Sequence, residues 1–263
     1  MKIRAVLPTF IVIVKLIAFL ALTRAVLRGQ DSPKTNPLPT VKEVMDHYVA
    51  ALGGHDVIFK HKSMTMRGQL ELSGKGPSLD RTVYYKGRRT LYKIAMPVGV
   101  YQEGYDGSVA WRLDPRSGPA ILKGNEVKSK ERDADMYYPA RILQYFKSME
   151  VVEVADFEGH SCYHLKGTNN WGIVNEHFYD TVTGLLVGYK FNSSWRGGSG
   201  DEIEVFSDYR DFGGWLMPTR TAHKSADGMQ TETTTSVSFD DVADSVFTLP
   251  DAINELLSKK GPG

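Results

Sequence analysis

Cysteine is almost absent from the 263 residues. Cys162 stands alone, so no internal disulfide can form and the fold must be held by its core. The usual signatures of catalysis are missing too. No serine lies in a Gly-x-Ser-x-Gly elbow, and no histidine pair has His-Glu-x-x-His spacing. No glycine-rich loop follows a strand and opens a helix, so nucleotide phosphates have no cradle. The acidic stretches 131–135 and 240–244 lack the spacing of a calcium loop. Past the start of the chain, basic charge is scarce. Residues 1–30 hold Lys2, Arg4, Lys15, Arg24 and Arg28 and no acid, and taking these five from the 32 bases leaves 27 against 31 acidic residues. That balance offers no basic footprint for nucleic acid.

What is present begins with a leader. A short basic stretch, residues 1–4, precedes an apolar run over 5–22, and Thr23 and Ala25 provide small residues for cleavage after Ala25. This reads as a signal peptide over 1–25. The alternative is an uncleaved inner-membrane anchor over 5–22, against which Lys15 argues, since a central lysine costs about 2.5–3.5 kcal/mol on insertion scales. Residues 26–40 are polar and carry three prolines, as a linker does. Residues 41–263 then form one domain.

That domain opens on a helix. Thr40 and Glu43 have capping-box spacing. Val41, Val44, Met45, Tyr48, Val49 and Leu52 recur at helical spacing up to Gly53-Gly54. The period then changes to two. Met64, Met66, Gly68, Leu70 and Leu72 alternate with Ser63, Thr65, Arg67, Gln69 and Glu71. Short alternating runs follow, divided by turn residues. Asp106-Gly107 predicts a type I′ turn, and Gly213-Gly214 turns the chain between two runs at 202–208 and 215–223. Pro218 has no N–H, so that side of its strand should be an edge or a bulge. Residues 128–149 read as one broken helix or two short ones, with Pro139 at a first turn. A further strand run starts at 151, and a short helix closes the chain at 251–259. About eleven strands on short turns predict a mainly β protein with helices, a curved antiparallel sheet or barrel.

The motifs also resemble a family, in order along the chain. These are the leading helix ending A-L-G-G, Y-D-G-x-x-A-W at 105–111, D-x-E-G-H-x-C-Y-x-L at 156–165, Y-D-x-x-T-G-L-L-V at 179–187, and F-S-D-Y-R-x-F-G-G-x-x-x-P-T at 206–219. Together they resemble the bacterial outer-membrane lipoprotein-sorting proteins, the LolA/LolB-like periplasmic lipoprotein carriers. Trp171-Gly172-Ile173-Val174 and the 193–200 loop depart from that pattern. The resemblance implies an unclosed β-barrel with helices over its mouth. It implies a periplasmic, non-catalytic monomer that carries lipoprotein acyl chains or other lipids between envelope donor and acceptor proteins. No metal, nucleotide or redox cofactor is implied.

The residues themselves nominate a cavity wall: Met64, Met66, Tyr84, Tyr92, Ile94, Met96, Trp111, Phe178 and Tyr189. Apolar residues of one strand parity, with Tyr92, Ile94 and Trp111 together, should face a concave interior, leaving Arg67, Lys93 and Arg112 outside. A filled core and a hollow one both remain open at this point. Two further classes stand beside the carrier. One is a non-catalytic envelope module that binds a protein or peptide strand at an open sheet edge. The other is a hydrolase with an unrecognised site. His160 and His164, four apart in a strand, are the one weak metal pattern, and Cys162 reads as a small buried thiol.

Overall fold

The computed structural model describes residues 37–72, 76–193 and 200–259. The expected signal, and the linker up to residue 36, lie outside them. Helix α1 (Val41–Ala51) is nucleated as its sequence dictates. The Thr40 hydroxyl accepts from the Glu43 N–H, and the Glu43 carboxylate accepts from the Thr40 N–H at 2.7 Å. Its buried stripe is Val44, Met45, Tyr48 and Val49. A short second helix, α2 (His55–Lys60), follows. The sequence hides it because a single turn and a half with one fully buried residue, Ile58, shows no period.

Among the described residues, thirteen antiparallel strands form one sheet. The first six are β1 (Ser63–Leu72), β2 (Leu79–Lys86), β3 (Arg89–Met96), β4 (Gly99–Tyr105), β5 (Ala110–Asp114) and β6 (Gly118–Ile121). They meander outward from β1 to one edge. Helices α3 (Asn125–Asp133) and α4 (Tyr138–Arg141) and a 3₁₀ turn (Ile142–Tyr145) then carry the chain to the other edge. From there β7 (Phe146–Phe157), β8 (His160–Asn169), β9 (Val174–Asp180), β10 (Leu186–Asn192), β11 (Asp201–Phe212), β12 (Trp215–Ser225) and β13 (Gly228–Phe239) meander back until β13 pairs with β1. A second 3₁₀ turn (Asp244–Phe247) and α5 (Asp251–Lys259) follow. The sheet holds two strands more than the expected eleven. β7 starts at Phe146 rather than 151, since the broken helical interval that contains Pro139 ends at Tyr145.

The sheet is unclosed, because β6 and β7 are its edges and do not pair. It is nevertheless strongly curved. Leu165 on β8 is six strands from β1, about 29 Å away in a flat sheet at 4.8 Å per strand. Yet Leu165 and Met64 belong to one core, with Tyr48 and Val49 of α1 in it. The inner face therefore wraps α1. Tyr48 meets Tyr179 edge-on at 5.1 Å.

The hairpin β11–β12 anchors that helix. Leu216 N–H donates to the Leu52 carbonyl at 3.0 Å. Gly53 sits so close to it that a Cβ there would lie 2.2 Å from the Gly214 carbonyl oxygen, at a φ of 109°. Pro218 is accommodated as expected. It pairs with Tyr209 on one side, while on the other the β12–β13 ladder ends at Arg220 and Thr233, beside the register shift of β13 against β1. The Asp106 turn differs from expectation. Gly107 is left-handed, but Asp106 is not, and its carboxylate instead accepts from the N–H groups of Ser108 and Val109.

Candidate functional site

The curved inner face encloses a half-open cavity of about 900 Å³. Its position follows from strand parity. Met64, Met66 and Leu70 of β1 face inward, opposite Tyr85 and Val83 of β2 and then Tyr92 and Ile94 of β3. Tyr48, Leu186, Trp215 and Met217 add to this apolar part of the wall. Of the nominated residues, Met64, Met66, Tyr92, Ile94 and Tyr189 line the cavity. Met96 shares their parity but packs beside Leu70, Leu79 and Ile94 without lining it.

Three nominations are corrected. Trp111 lies opposite Gly104, then Leu91, then Tyr84, one residue out of phase with Tyr92 and Ile94. Tyr84 and Trp111 therefore occupy the other face, where Val242, Phe247 and Ile253 from the 3₁₀ turn and α5 region cover them. Phe178 also faces away. It stacks on Phe157 at 4.0 Å in a cluster with Cys162 and Val187. Large apolar residues thus occur on both faces, because the C-terminal segment covers Tyr84 and Trp111 while strand residues pack among themselves around Phe178. Arg112, placed outside by its phase with Trp111, instead lies opposite Glu103, whose side chain lines the cavity.

The rest of the wall is a belt of paired charges that apolar patterning missed. Arg81, 6% exposed, meets Glu232 at 3.3 Å and donates to Thr234 Oγ1 at 2.8 Å. The Tyr92 hydroxyl donates to the same Glu232 at 2.7 Å. Lys130 of α3 pairs with Glu103, which also accepts from the Tyr101 hydroxyl at 2.5 Å. Burial, the largest single influence, works against the Glu103 carboxylate, but Lys130 and the Tyr101 hydroxyl together hold it below the usual range. A further row, His177, Tyr189, Glu204 and His223, crosses β9 to β12 in register. Tyr189 donates to Glu204, and His223 Nδ1 lies 3.1 Å from it. Burial alone would lower the His223 imidazole. The Glu204 carboxylate overrides this and lifts it to about 9, so His223 is charged at neutral pH. His177 is the opposite case, buried and lowered to about 3, with the Arg132 charge as a second cause.

Elsewhere the chemistry is plain. Burial, then Asp180, pushes the Cys162 thiol up to about 12. His160 lies 3.2 Å from Asp180, while His164 lies near Glu153 and Glu176. Among the described residues no group of three or more His, Cys, Asp or Glu side chains is placed to hold a metal ion. Among them, too, no helix is long and apolar enough to cross a membrane.

Fold and site define a class: an unclosed antiparallel barrel wrapped around helices, with an internal cavity. No family model matches the chain, and no curated protein matches it in sequence. Solved structures do match. A LolA superfamily protein from Nitrosomonas europaea aligns with a TM-score of 0.56 at 14% identity, over 81% of this chain and 99% of that one. A DUF1329 family protein from Desulfovibrio piger aligns with a TM-score of 0.58 at 14% identity, over 81% and 98%. The chain has a LolA-like fold.

Proposed function

We propose that the chain is a periplasmic carrier or binding protein for lipoprotein acyl chains or other lipids, acting in outer-membrane lipoprotein sorting. The observation that carries this reading is the half-open cavity with one apolar wall and one belt of paired polar groups. An acyl chain laid on Met64, Met66, Val83 and Ile94 gains about 0.8 kcal/mol for each CH₂ it buries. Methionine suits such a wall, since its thioether repacks around varied shapes. A volume of about 900 Å³ is at the upper end for small-molecule sites. In this reading residues 1–25 are a cleaved export signal, the mature protein is a non-catalytic monomer, and envelope proteins donate and accept the cargo. N-terminal sequencing of the exported protein should begin at Val26, and an intact Met1 in the membrane fraction would favour the anchor.

A second reading, an envelope module that binds a peptide strand, draws on the edge strand β7, where Val152 and Val154 are 42% and 49% exposed. Titration with a neutral fluorescent probe, N-phenyl-1-naphthylamine, separates the two. The carrier binds it saturably, and Ile94→Glu abolishes binding while circular dichroism stays native. Absence of saturable binding to the unmodified protein leaves the edge-binding module as the better account.

A further inference from the structure

The two edges of the sheet are finished differently. β6 is four residues long and carries Pro119, which has no N–H to offer a neighbour. Its Ile121 packs in one cluster with Ile253 of α5. β7 runs twelve residues without a proline, and among the described residues no strand pairs with its outer side. Every second residue there turns its N–H and C=O away from the sheet. Bulges divide this edge. The register against β8 shifts between Phe146 and Ser148 and again between Val151 and Glu153. Past the second shift, residues 153–157 pair without interruption with His164, Tyr163, Cys162, Ser161 and His160. That is the longest regular stretch against which a further strand can lie.

The side chains beside it divide by face. Val154 stands opposite Tyr163, which packs on the main core, so it belongs to the inner face. It is nevertheless 49% exposed, and Val152 in the bulge is 42% exposed. Glu153 stands opposite His164, which stacks on Phe178 on the face away from the cavity. Glu150 stands opposite Lys166 on that same face. Glu150, Glu153 and Asp156 are all exposed, and residues 148–158 contain no Lys, Arg or His. The two bases one strand further in are shared. Lys166 has Glu176 on its other side, and His164 lies 3.5 Å from Glu153 and 3.3 Å from Glu176. The edge therefore keeps an excess of negative charge.

We propose that β7 takes a basic extended segment of another envelope protein as an added strand. The backbone of 153–157 supplies the ladder. Aliphatic side chains of the segment lie over Val154 on one face, and its Lys or Arg side chains meet Glu150 and Glu153 on the other. This rests on the peptide-strand reading of β7 and deepens it by naming the partner's chemistry. It stands beside the cavity rather than in place of it, since none of these residues lines the cavity. A second copy of this chain is the wrong occupant. Pairing β7 with β7 would crowd Glu150, Glu153 and Asp156 of both copies along one short ladder, and like charges across a ladder are destabilising.

Labelled peptides and the exported protein test this by fluorescence anisotropy. An alternating lysine–valine peptide, capped at both ends, is compared with its glutamine–valine and glutamate–valine counterparts. A fourth peptide is lysine–valine with every backbone amide methylated, which keeps the charge and removes the donors. At low salt the lysine peptide should bind about fivefold tighter than the glutamine one, the worth of two exposed ion pairs, and added salt should shrink that ratio. The glutamate and methylated peptides should bind far more weakly than either. Saturation with the lysine peptide should slow hydrogen exchange in 146–157 and leave 118–121 unchanged. Glu150→Lys with Glu153→Lys changes two exposed positions and should reverse the order, so that the glutamate peptide binds best. Equal binding of the lysine and glutamine peptides overturns the basic partner and leaves the strand reading of β7. A methylated peptide that binds as well as its parent, protection outside β7, or no binding by any peptide overturns the strand reading too. An order of affinity that survives the charge reversal places the basic peptide elsewhere and overturns the proposal. The cavity is tested separately by the naphthylamine titration.

Discussion

Replacing Arg81 with methionine should be among the most damaging single changes in the cavity wall. The side chain is 6% exposed and holds Glu232, whose own side chain is 21% exposed, at 3.3 Å. It also donates to the Thr233 carbonyl at 3.3 Å and to Thr234 Oγ1 at 2.8 Å. Methionine keeps much of the stem's volume and removes the charge. Glu232 then retains only the Tyr92 hydroxyl as a shown partner. Breaking one side of a buried pair typically costs about 3–5 kcal/mol, because the remaining charge is uncompensated. For a domain of this size each kcal/mol moves Tm by about 2–4 °C, so the loss should be about 6–20 °C. Glu232→Leu alone should cost less, about 2–4 kcal/mol, since Arg81 keeps two oxygen acceptors. The double variant should return to within about 1 kcal/mol of the parent, because removing both charges also removes their desolvation. Urea unfolding of all four proteins gives the coupling. Single effects that simply add, or an Arg81→Met change within about 0.5 kcal/mol of zero, would mean that the pair is solvated and the belt is not part of a buried wall.

Tyr48→Ala should cost about 3–5 kcal/mol in the same assay, as large buried aromatics do, and a change no larger than a surface substitution would show that α1 is not docked inside the sheet. Phe178→Ala should also destabilise by about 3–4 kcal/mol but leave probe affinity unchanged, since Phe178 lies on the face away from the cavity; an affinity loss to match Ile94→Glu would restore it to the wall. The His223–Glu204 pair gives a pH signature. The His223 pKa is raised from 6.5 to about 9, so its contribution is complete below pH 6.5 and is lost as pH rises through 9. A third of the side chain reaches solvent, which reduces the expected loss between pH 7 and 10 to about 1–2 kcal/mol. His223→Gln should flatten that slope, and an unchanged slope would assign it to other groups.

The leading helix and the hairpins were legible in the sequence because their signals are local. Thr40 and Glu43 lie three apart, and Gly213-Gly214 sits between two alternating runs. The cavity wall was only partly legible because each strand carries its own phase. Tyr92 and Ile94 share a face, but nothing in the residues between Ile94 and Trp111 shows that Trp111 lands on the other one. The register through Gly104 and Leu91 decides it. The convex face also needs apolar cover for Val242, Phe247 and Ile253, so a large residue does not mark the interior. The polar belt was illegible for a different reason. Arg81 and Glu232, or Glu103 and Lys130, each read alone as a solvated strand or helix charge. Register across β1 at Gly68, which has no side chain, lets Arg81 of β2 reach Glu232 of β13, and the crossing of α3 brings Lys130 to Glu103.

The central claim is that the cavity carries an acyl lipid. Native extraction of the exported protein from its own cell envelope, followed by transfer into organic solvent and mass spectrometry, tests it most directly. The account predicts an acyl lipid released in near-stoichiometric amount from the unmodified protein and absent from Ile94→Glu. Recovery of the same trace lipids from both proteins would contradict it.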